Sequence, residues 1–180
     1  KAFGRMHHPN CITLFDFGFS QELDAFYMVM EFLDGTPMHR RVVEGVGVAE
    51  AIDITRQIAM ALDHAHYQGI LHRDLKPENV MLTYMTDGTQ LVKVLDFGIA
   101  RIFQDDADKP KSTKEQNRLT RAGEVFGTPA YISPEQARGE PNLTPASDLY
   151  SLGIMLFEML QGELPFWGDT AIDTIMKHIS

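Results

Sequence analysis

Residues 70–82 read ILHRDLKPENVML. Ile70 and Leu71 on one side, and Val80, Met81 and Leu82 on the other, are apolar and are drawn toward a core. Between them lie His72, Arg73, Asp74, Lys76, Pro77, Glu78 and Asn79. Ionisable groups resist burial unless something pairs with them. The stretch asks what compensates its charges once both flanks are anchored.

Working outward, Val80–Tyr84 and Leu91–Leu95 read as strands, and Asp87-Gly88 between them is a hairpin turn signal. A further short strand is expected at Ile70–Leu71. Upstream, Ile54, Ile58, Ala61 and Ala65 follow a helical period within Val48–Gln68, and Gly69 stands where a helix stops. Residues 11–19 and 25–33 are rich in β-branched and aromatic residues, with the polar Ser20–Asp24 between them, and read as two strands. Gly35 is expected to end the second, and Pro37–Val43 to form a short helix. Downstream, residues 104–118 are almost wholly polar and read as a surface loop. Thr144–Gln161 followed by Gly162 reads as a helix, and Thr170–His178 begins another. Strands come first and helices mostly later, which predicts an α+β fold with helices segregated from a small sheet.

The bulk numbers narrow the function. The 180 residues suffice for about one domain, and 44% apolar with 23% charged residues is ordinary globular composition. The net charge of −9 argues against a phosphate-backbone binder, so no nucleic-acid partner is expected. It leaves room for a nucleotide site, which needs only local positive groups and a metal. Cys11 is the single cysteine, so no intrachain disulfide forms, and the reducing cytoplasm is the expected location. Leu149–Leu160 is strongly apolar but falls short of the roughly 20 residues that span a bilayer. No signal peptide opens the sequence, and no membrane segment is expected in it. His64 and His66 sit two apart on the long helix, face different ways and do not make a metal site together.

The hairpin carries a geometric inference. If it is symmetric about Asp87-Gly88, Asn79 lies opposite Asp96, with Cβ atoms roughly 5 Å apart. An amide oxygen beside a carboxylate suits Mg²⁺, which takes one or two protein oxygens together with phosphates and water. A pair that only caps the strand ends is the blander alternative. Asp74, on the loop entering the first strand, is placed to accept a proton from a hydroxyl, and Lys76 to hold a phosphoryl oxygen. The alternative for Asp74 is an exposed salt bridge with Arg73 or Lys76, worth little.

The stretch His72-Arg73-Asp74-Leu75-Lys76-Pro77-Glu78-Asn79 resembles the catalytic loop of eukaryotic-type protein kinases. Asp96-Phe97-Gly98 resembles their metal-binding motif. Gly127-Thr128-Pro129-Ala130-Tyr131-Ile132-Ser133-Pro134-Glu135 resembles the end of their activation segment, with Ser133 where alanine is usual. Ser133-Pro134-Glu135-Gln136, Leu164-Pro165-Phe166 and Gly168-Asp169-Thr170 resemble the bacterial serine/threonine branch. The resemblance covers essentially the whole chain.

It implies a two-lobe kinase-like fold, ATP and Mg²⁺ as cofactors, and a protein serine or threonine as substrate. Asp74 would orient and deprotonate the hydroxyl, Lys76 would steady the γ-phosphate, and Asn79 and Asp96 would hold Mg²⁺. Thr128 would hydrogen-bond near Asp74 and Lys76. Met30 would be the gatekeeper beside adenine, with backbone groups of Glu31 and Leu33 on the adenine edge. Asp34 would reach the ribose, and Met81 would floor the adenine pocket. Arg73 and Arg101 would clamp a phosphate on the activation segment, with Thr120 the preferred acceptor over Ser112 and Thr113. Asp148 would tie down the His72-Arg73 backbone. His72 and Phe97, with Leu14 and Phe3, would stack as a spine joining the lobes. The charged knot would then line a cleft whose ligands balance its charges.

The sequence also departs from the family pattern. Residues 1–30 hold neither a glycine-rich phosphate loop nor the lysine strand that follows it. The closing helices of the large lobe, with the arginine that pairs with Glu135, are not found either. The expectation is a stretch cut from the middle of a kinase domain. Residues 1–33 would be the remnant of the small lobe and hinge strand, and 34–180 an incomplete large lobe. Alone, such a piece would be a poor kinase and prone to aggregate, while its parent would be active. Two other readings stand beside it: a catalytically silent kinase-fold scaffold, and a small-molecule phosphotransferase of related fold.

Overall fold

In the computed structural model, which describes residues 7–97 and 129–180, the chain forms two antiparallel sheets and a set of helices. Gly98, Arg101, Thr120, Thr128, the polar segment 104–118 and Phe3 lie outside the described residues.

The first sheet is the hairpin of β1 (Leu14–Ser20) and β2 (Ala25–Met30), in register from Ser20 opposite Ala25 to Leu14 opposite Met30. An irregularity between Leu14 and Asp16 lets Asp16 face Val29. Across the ribbon, Phe19 meets Phe26 edge-on at 5.0 Å.

The second sheet has the order β3-β4-β5. β3 (Gly35–Pro37) is a strand that the sequence does not announce. Gly35 begins it rather than ending its predecessor, because it pairs with Thr83 on β4 (Val80–Tyr84). A Cβ on Gly35 would come within 2.4 Å of the Leu82 carbonyl, so only glycine allows this approach. α1 (Met38–Glu44) follows directly.

The β4-β5 hairpin corrects the expected register. β5 runs Gln90–Val94, and Val80 pairs with Val94. The loop holds Thr86, Asp87 and Gly88, closed by Met85 N–H donating to Thr89 O at 2.8 Å and Gly88 N–H donating to Met85 O at 2.9 Å. Gly88 takes φ 83°, the left-handed residue that lets a type I turn close a hairpin. The hairpin is therefore centred on Asp87, and the register slips by one from that expected. Leu95 N–H, not a group of Asp96, donates to Asn79 O at 2.8 Å.

α2 (Val48–Tyr67) packs against this sheet with Ala51, Ile54, Ile58, Ala61, Leu62 and Ala65 buried, the helical spacing that marks a core face. The free edge of β5 is closed from α2 and the preceding segment. Gln57 Oε1 accepts from Val92 N–H at 2.9 Å and from Asn10 Nδ2 at 2.8 Å. Asn10 Nδ2 also donates to Val92 O, and Ile12 N–H to Val94 O. Edge groups that could recruit another strand are thereby used up. Cys11 is buried at the same seam, and burial pushes its thiol up to about 12.

Gly69, at φ 75°, ends α2 in a Schellman motif: its N–H donates to His66 O and that of Ile70 to Ala65 O. The chain turns sharply there. Ile70–Leu71, expected as a strand, is irregular backbone entering the turn that follows.

Three helices complete the described chain: α3 (Pro134–Ala137), α4 (Pro145–Gln161) and α5 (Ala171–Ile179). Thr144 caps α4 ahead of Pro145, and Gly162 stops it in the left-handed conformation. α4 buries Leu152, Ile154, Met155 and Met159 but leaves Leu149, Phe157 and Leu160 exposed, as α5 leaves Ile172 and Met176. None of the described helices is long and apolar enough to cross a membrane.

Candidate active site

The stretch 70–82 solves its conflict by alternating depth. His72, Leu75 and Pro77 are buried and pin the turn, while Arg73, Asp74 and Glu78 are exposed. Pro77 opens a 3₁₀ turn, Pro77–Asn79, that feeds β4.

The turn is held from α4. Asp148 is buried at the start of that helix, where a carboxylate is favoured by the helix dipole. Its Oδ2 accepts from His72 N–H at 2.9 Å and its Oδ1 from Arg73 N–H at 2.8 Å. His66 Nε2 approaches Asp148 Oδ2 at 2.7 Å, and since a carboxylate only accepts, that nitrogen carries the proton. Arg73 sits at φ 70°, a conformation that a side chain with a Cβ seldom adopts without outside help.

Beyond Arg73 the polar groups converge. Lys76 Nζ lies 2.7 Å from Asp74 Oδ2. Asn79 Nδ2 donates to Asp74 O at 2.8 Å and to the same Oδ2 at 3.3 Å. The Asp74 side chain remains 68% exposed, so the cluster faces outward.

Asp96 and Phe97 reach the turn past the end of β5. Phe97 is buried with its ring centroid 5.0 Å from that of His72. Asp96 is exposed at φ 56°, so the strand's alternation no longer governs its side chain. Among the described residues no hydrogen bond joins Asp96 to Asn79 or Asp74.

His72 is a neutral buried ring. Its Nε2 donates to Leu95 O at 2.8 Å, leaving Nδ1 to accept from Asp74 N–H at 3.3 Å. Burial pushes its pKa down, against the opposing pull of Asp148, Asp74 and Asp96. Burial also lowers His8, aided by His64, and lowers His178. Histidines with depressed folded values make the unfolded state the better proton acceptor. Their stabilisation is complete above the ordinary value of 6.5 and is lost as pH falls below it. The urea unfolding midpoint is expected to hold steady above about pH 7 and to decline toward about pH 5. A midpoint that is flat or rises on acidification would contradict neutral burial of these rings.

The strand leading from β2 is tied to the second sheet. Glu31 Oε1 accepts from Lys93 Nζ at 2.8 Å and from Thr13 N–H at 2.7 Å. Burial pushes the Glu31 carboxyl up, but these partners outweigh it and hold it below the usual range. Glu31 N–H itself donates to Thr13 O. Met30 and Asp34 are exposed, and Leu33 and Met81 half-buried.

The segment around Tyr131 packs on α4. Tyr131 OH donates to Glu158 Oε2 at 2.7 Å, and Ser151 Oγ to Tyr131 O at 2.7 Å. Burial, then Glu78, push Glu158 up. Glu135 accepts from Ser147 Oγ, and that hydrogen bond holds its carboxyl down. The sequence gives no sign of Lys93 as the partner of Glu31, and it names His66 only as half of a rejected metal pair and Gln136 only as part of a motif, with no structural role for either. The Ser133-to-Gln136 spacing is a visible capping-box signal, but the second bond of Gln136, Nε2 to Arg73 O at 2.7 Å, has no local signature.

Comparison with known proteins agrees with this geometry. The family model described as "Protein kinase domain" matches residues 1–180. The chain is 42% identical to the serine/threonine-protein kinase pkn3 of Myxococcus xanthus, over 100% of this chain and 32% of that protein. It is 41% identical to the probable serine/threonine-protein kinase PknB of Lactococcus lactis, over 98% of this chain and 26% of that protein. Against the crystal structure of Rad53 1-466 in complex with AMP-PNP, the TM-score is 0.68 at 31% identity, over 94% of this chain and 38% of that one. The chain thus spans a third or less of the length of these curated relatives. A His-Arg-Asp turn braced from a helix start, the Phe97 ring packed against its histidine and a match along the full sequence agree: the chain belongs to the protein kinase domain family, on the bacterial serine/threonine branch.

Proposed function

We propose that this site transfers the γ-phosphoryl group of ATP to a serine or threonine hydroxyl of a protein. One observation carries the reading: an exposed carboxylate oxygen, Asp74 Oδ2, shared by an ammonium at 2.7 Å and an amide at 3.3 Å. An exposed ion pair contributes little to stability, so its fixed arrangement is better explained by chemistry. Asp74 takes the hydroxyl proton as that oxygen bonds to phosphorus, and the bond from phosphorus to the ADP oxygen breaks. Lys76 holds a phosphoryl oxygen as a point charge.

The donor set fits Mg²⁺. Asn79 commits its amide nitrogen to Asp74, which leaves its oxygen for a cation, and the exposed Asp96 adds a second hard oxygen. Bound there, the ion would neutralise phosphate charge. Adenine would lie against Met30 and Met81, hydrogen-bonded to the backbone of Glu31 and Leu33, with Asp34 on the ribose. The Glu31–Lys93 pair would steady this edge. The relative solved with AMP-PNP supports a nucleotide here. By the family resemblance, Thr128 would hydrogen-bond near Asp74 and Lys76, and Thr120 would be the phosphate acceptor clamped by Arg73 and Arg101. Glu135 and Asp148 act as braces.

The test uses the full-length protein with γ-labelled ATP and a generic protein substrate. Label is expected on phosphoserine or phosphothreonine after acid hydrolysis, and its incorporation is expected to stop when EDTA removes the metal. Label confined to phosphotyrosine, or incorporation indifferent to EDTA, would overturn the assignment.

A further inference from the structure

Arg73 is gripped on both sides of its left-handed turn. Asp148 Oδ1 takes its N–H at 2.8 Å, and Gln136 Nε2 donates to its carbonyl at 2.7 Å. The two grips belong to one frame. Gln136 is in α3, next to Glu135, which accepts from Ser147 Oγ, and Ser147 precedes Asp148 in α4. A closed path of covalent and hydrogen bonds therefore runs from Arg73 through α3 to α4 and back to Arg73.

Gln136 has a second task. Its Oε1 accepts from Ser133 N–H at 3.2 Å while Ser133 Oγ accepts from Gln136 N–H at 3.3 Å, a capping box. Glutamate would perform the capping at least as well, because a carboxylate is favoured in the first turn of a helix. Only an amide also supplies a donor. The choice of glutamine over glutamate thus has its physical reason at the Arg73 carbonyl.

We propose that Gln136 is a positioning residue for Asp74. Its amide nitrogen locks the Arg73 carbonyl, and with it the left-handed turn that presents the next residue to substrate. The proposal rests on the phosphotransfer reading above and deepens it. A carbonyl fixed at Arg73 fixes the plane of the Arg73–Asp74 peptide, whose N–H meets His72 Nδ1. The end of the activation segment and the proton acceptor thereby share one rigid contact.

Two variants separate capping from positioning. Gln136→Glu keeps the cap acceptor and loses the donor. Gln136→Met loses both. In the full-length protein, Gln136→Glu is expected to lower kcat about tenfold, with the KM for ATP and the Tm unchanged, since small displacements of a catalytic group cost rate steeply. Gln136→Met should show a similar fall in kcat together with a lower Tm. Hydrogen exchange over residues 70–80 should quicken about tenfold in both, as the turn opens more often. If Gln136→Glu keeps kcat and exchange within twofold of the parent, or if only Gln136→Met loses rate and does so in step with its Tm, Gln136 merely caps α3 and the proposal falls. Wild-type protein that transfers no phosphate would overturn the phosphotransfer reading instead, and the exchange rates would still decide whether Gln136 holds the turn.

Discussion

Asp74→Asn is expected to lower kcat by about 10³-fold while leaving ATP affinity and thermal stability nearly unchanged. The amide keeps the shape of the carboxylate and an oxygen that can still accept from Lys76 and Asn79. What it loses is basicity toward the substrate hydroxyl. The side chain is 68% exposed, so no buried group is orphaned by the change. A surface substitution of this kind shifts stability by about 0.5 kcal/mol or less. The measurement is single-turnover transfer from γ-labelled ATP beside nucleotide titration on the same preparation. A variant that keeps more than about a tenth of the parent rate would remove Asp74 from the role of proton acceptor, since general-base contributions are typically larger.

Asp148→Ala should have the largest effect on stability. The carboxylate is 1% exposed and accepts from His72 N–H, Arg73 N–H and His66 Nε2. Its removal leaves these donors facing a cavity without an acceptor, and it releases the left-handed Arg73. Breaking a buried hydrogen-bonded charge in this way costs about 3–5 kcal/mol. Urea denaturation would read it as a lower midpoint with an unchanged slope. Asp148→Asn keeps one oxygen but turns an NH₂ group toward donors, so it should also destabilise, by a smaller amount. A loss below about 1 kcal/mol for the alanine variant would mean that solvent or another acceptor already serves those groups.

The chemistry of the site was legible because it is written locally. Eight consecutive residues, His72 to Asn79, carry the carboxylate, the ammonium and the amide on which the proposed chemistry draws, and the protein kinase domain model matches the chain along its full length. α2 and α4 were legible for a similar reason: periodic apolar residues and glycine stops act within a few turns of where they stand. β3 was not, since Gly35, Thr36 and Pro37 have little strand character of their own and are strand only because Thr83, Leu82 and Met81 lie opposite.

The hairpin register marks the boundary between the two kinds of information. Asp87-Gly88 announced a turn, but whether the loop closes over two residues or over Thr86, Asp87 and Gly88 depends on the backbone angle that Gly88 adopts when both strands are packed. A one-residue difference moves Asn79 from facing Asp96 to facing Leu95, so the inferred cross-strand pair of metal ligands does not exist as a strand pair. Asp96 comes near the site by leaving the strand in a left-handed turn, alongside the Phe97 ring on His72.

By itself, then, the sequence determined which chemical groups this protein owns, the helices whose periodicity is local, and the family to which they point. Tertiary structure alone decided where those groups aim. Asp148 and Gln136 grip the two sides of one residue, Arg73, from 75 and 63 residues away in sequence, and Gln57 seals a strand edge 35 residues off. Contacts that distant leave no periodic trace in a sequence, because each is a single hydrogen bond whose partner is chosen by the packing of whole elements.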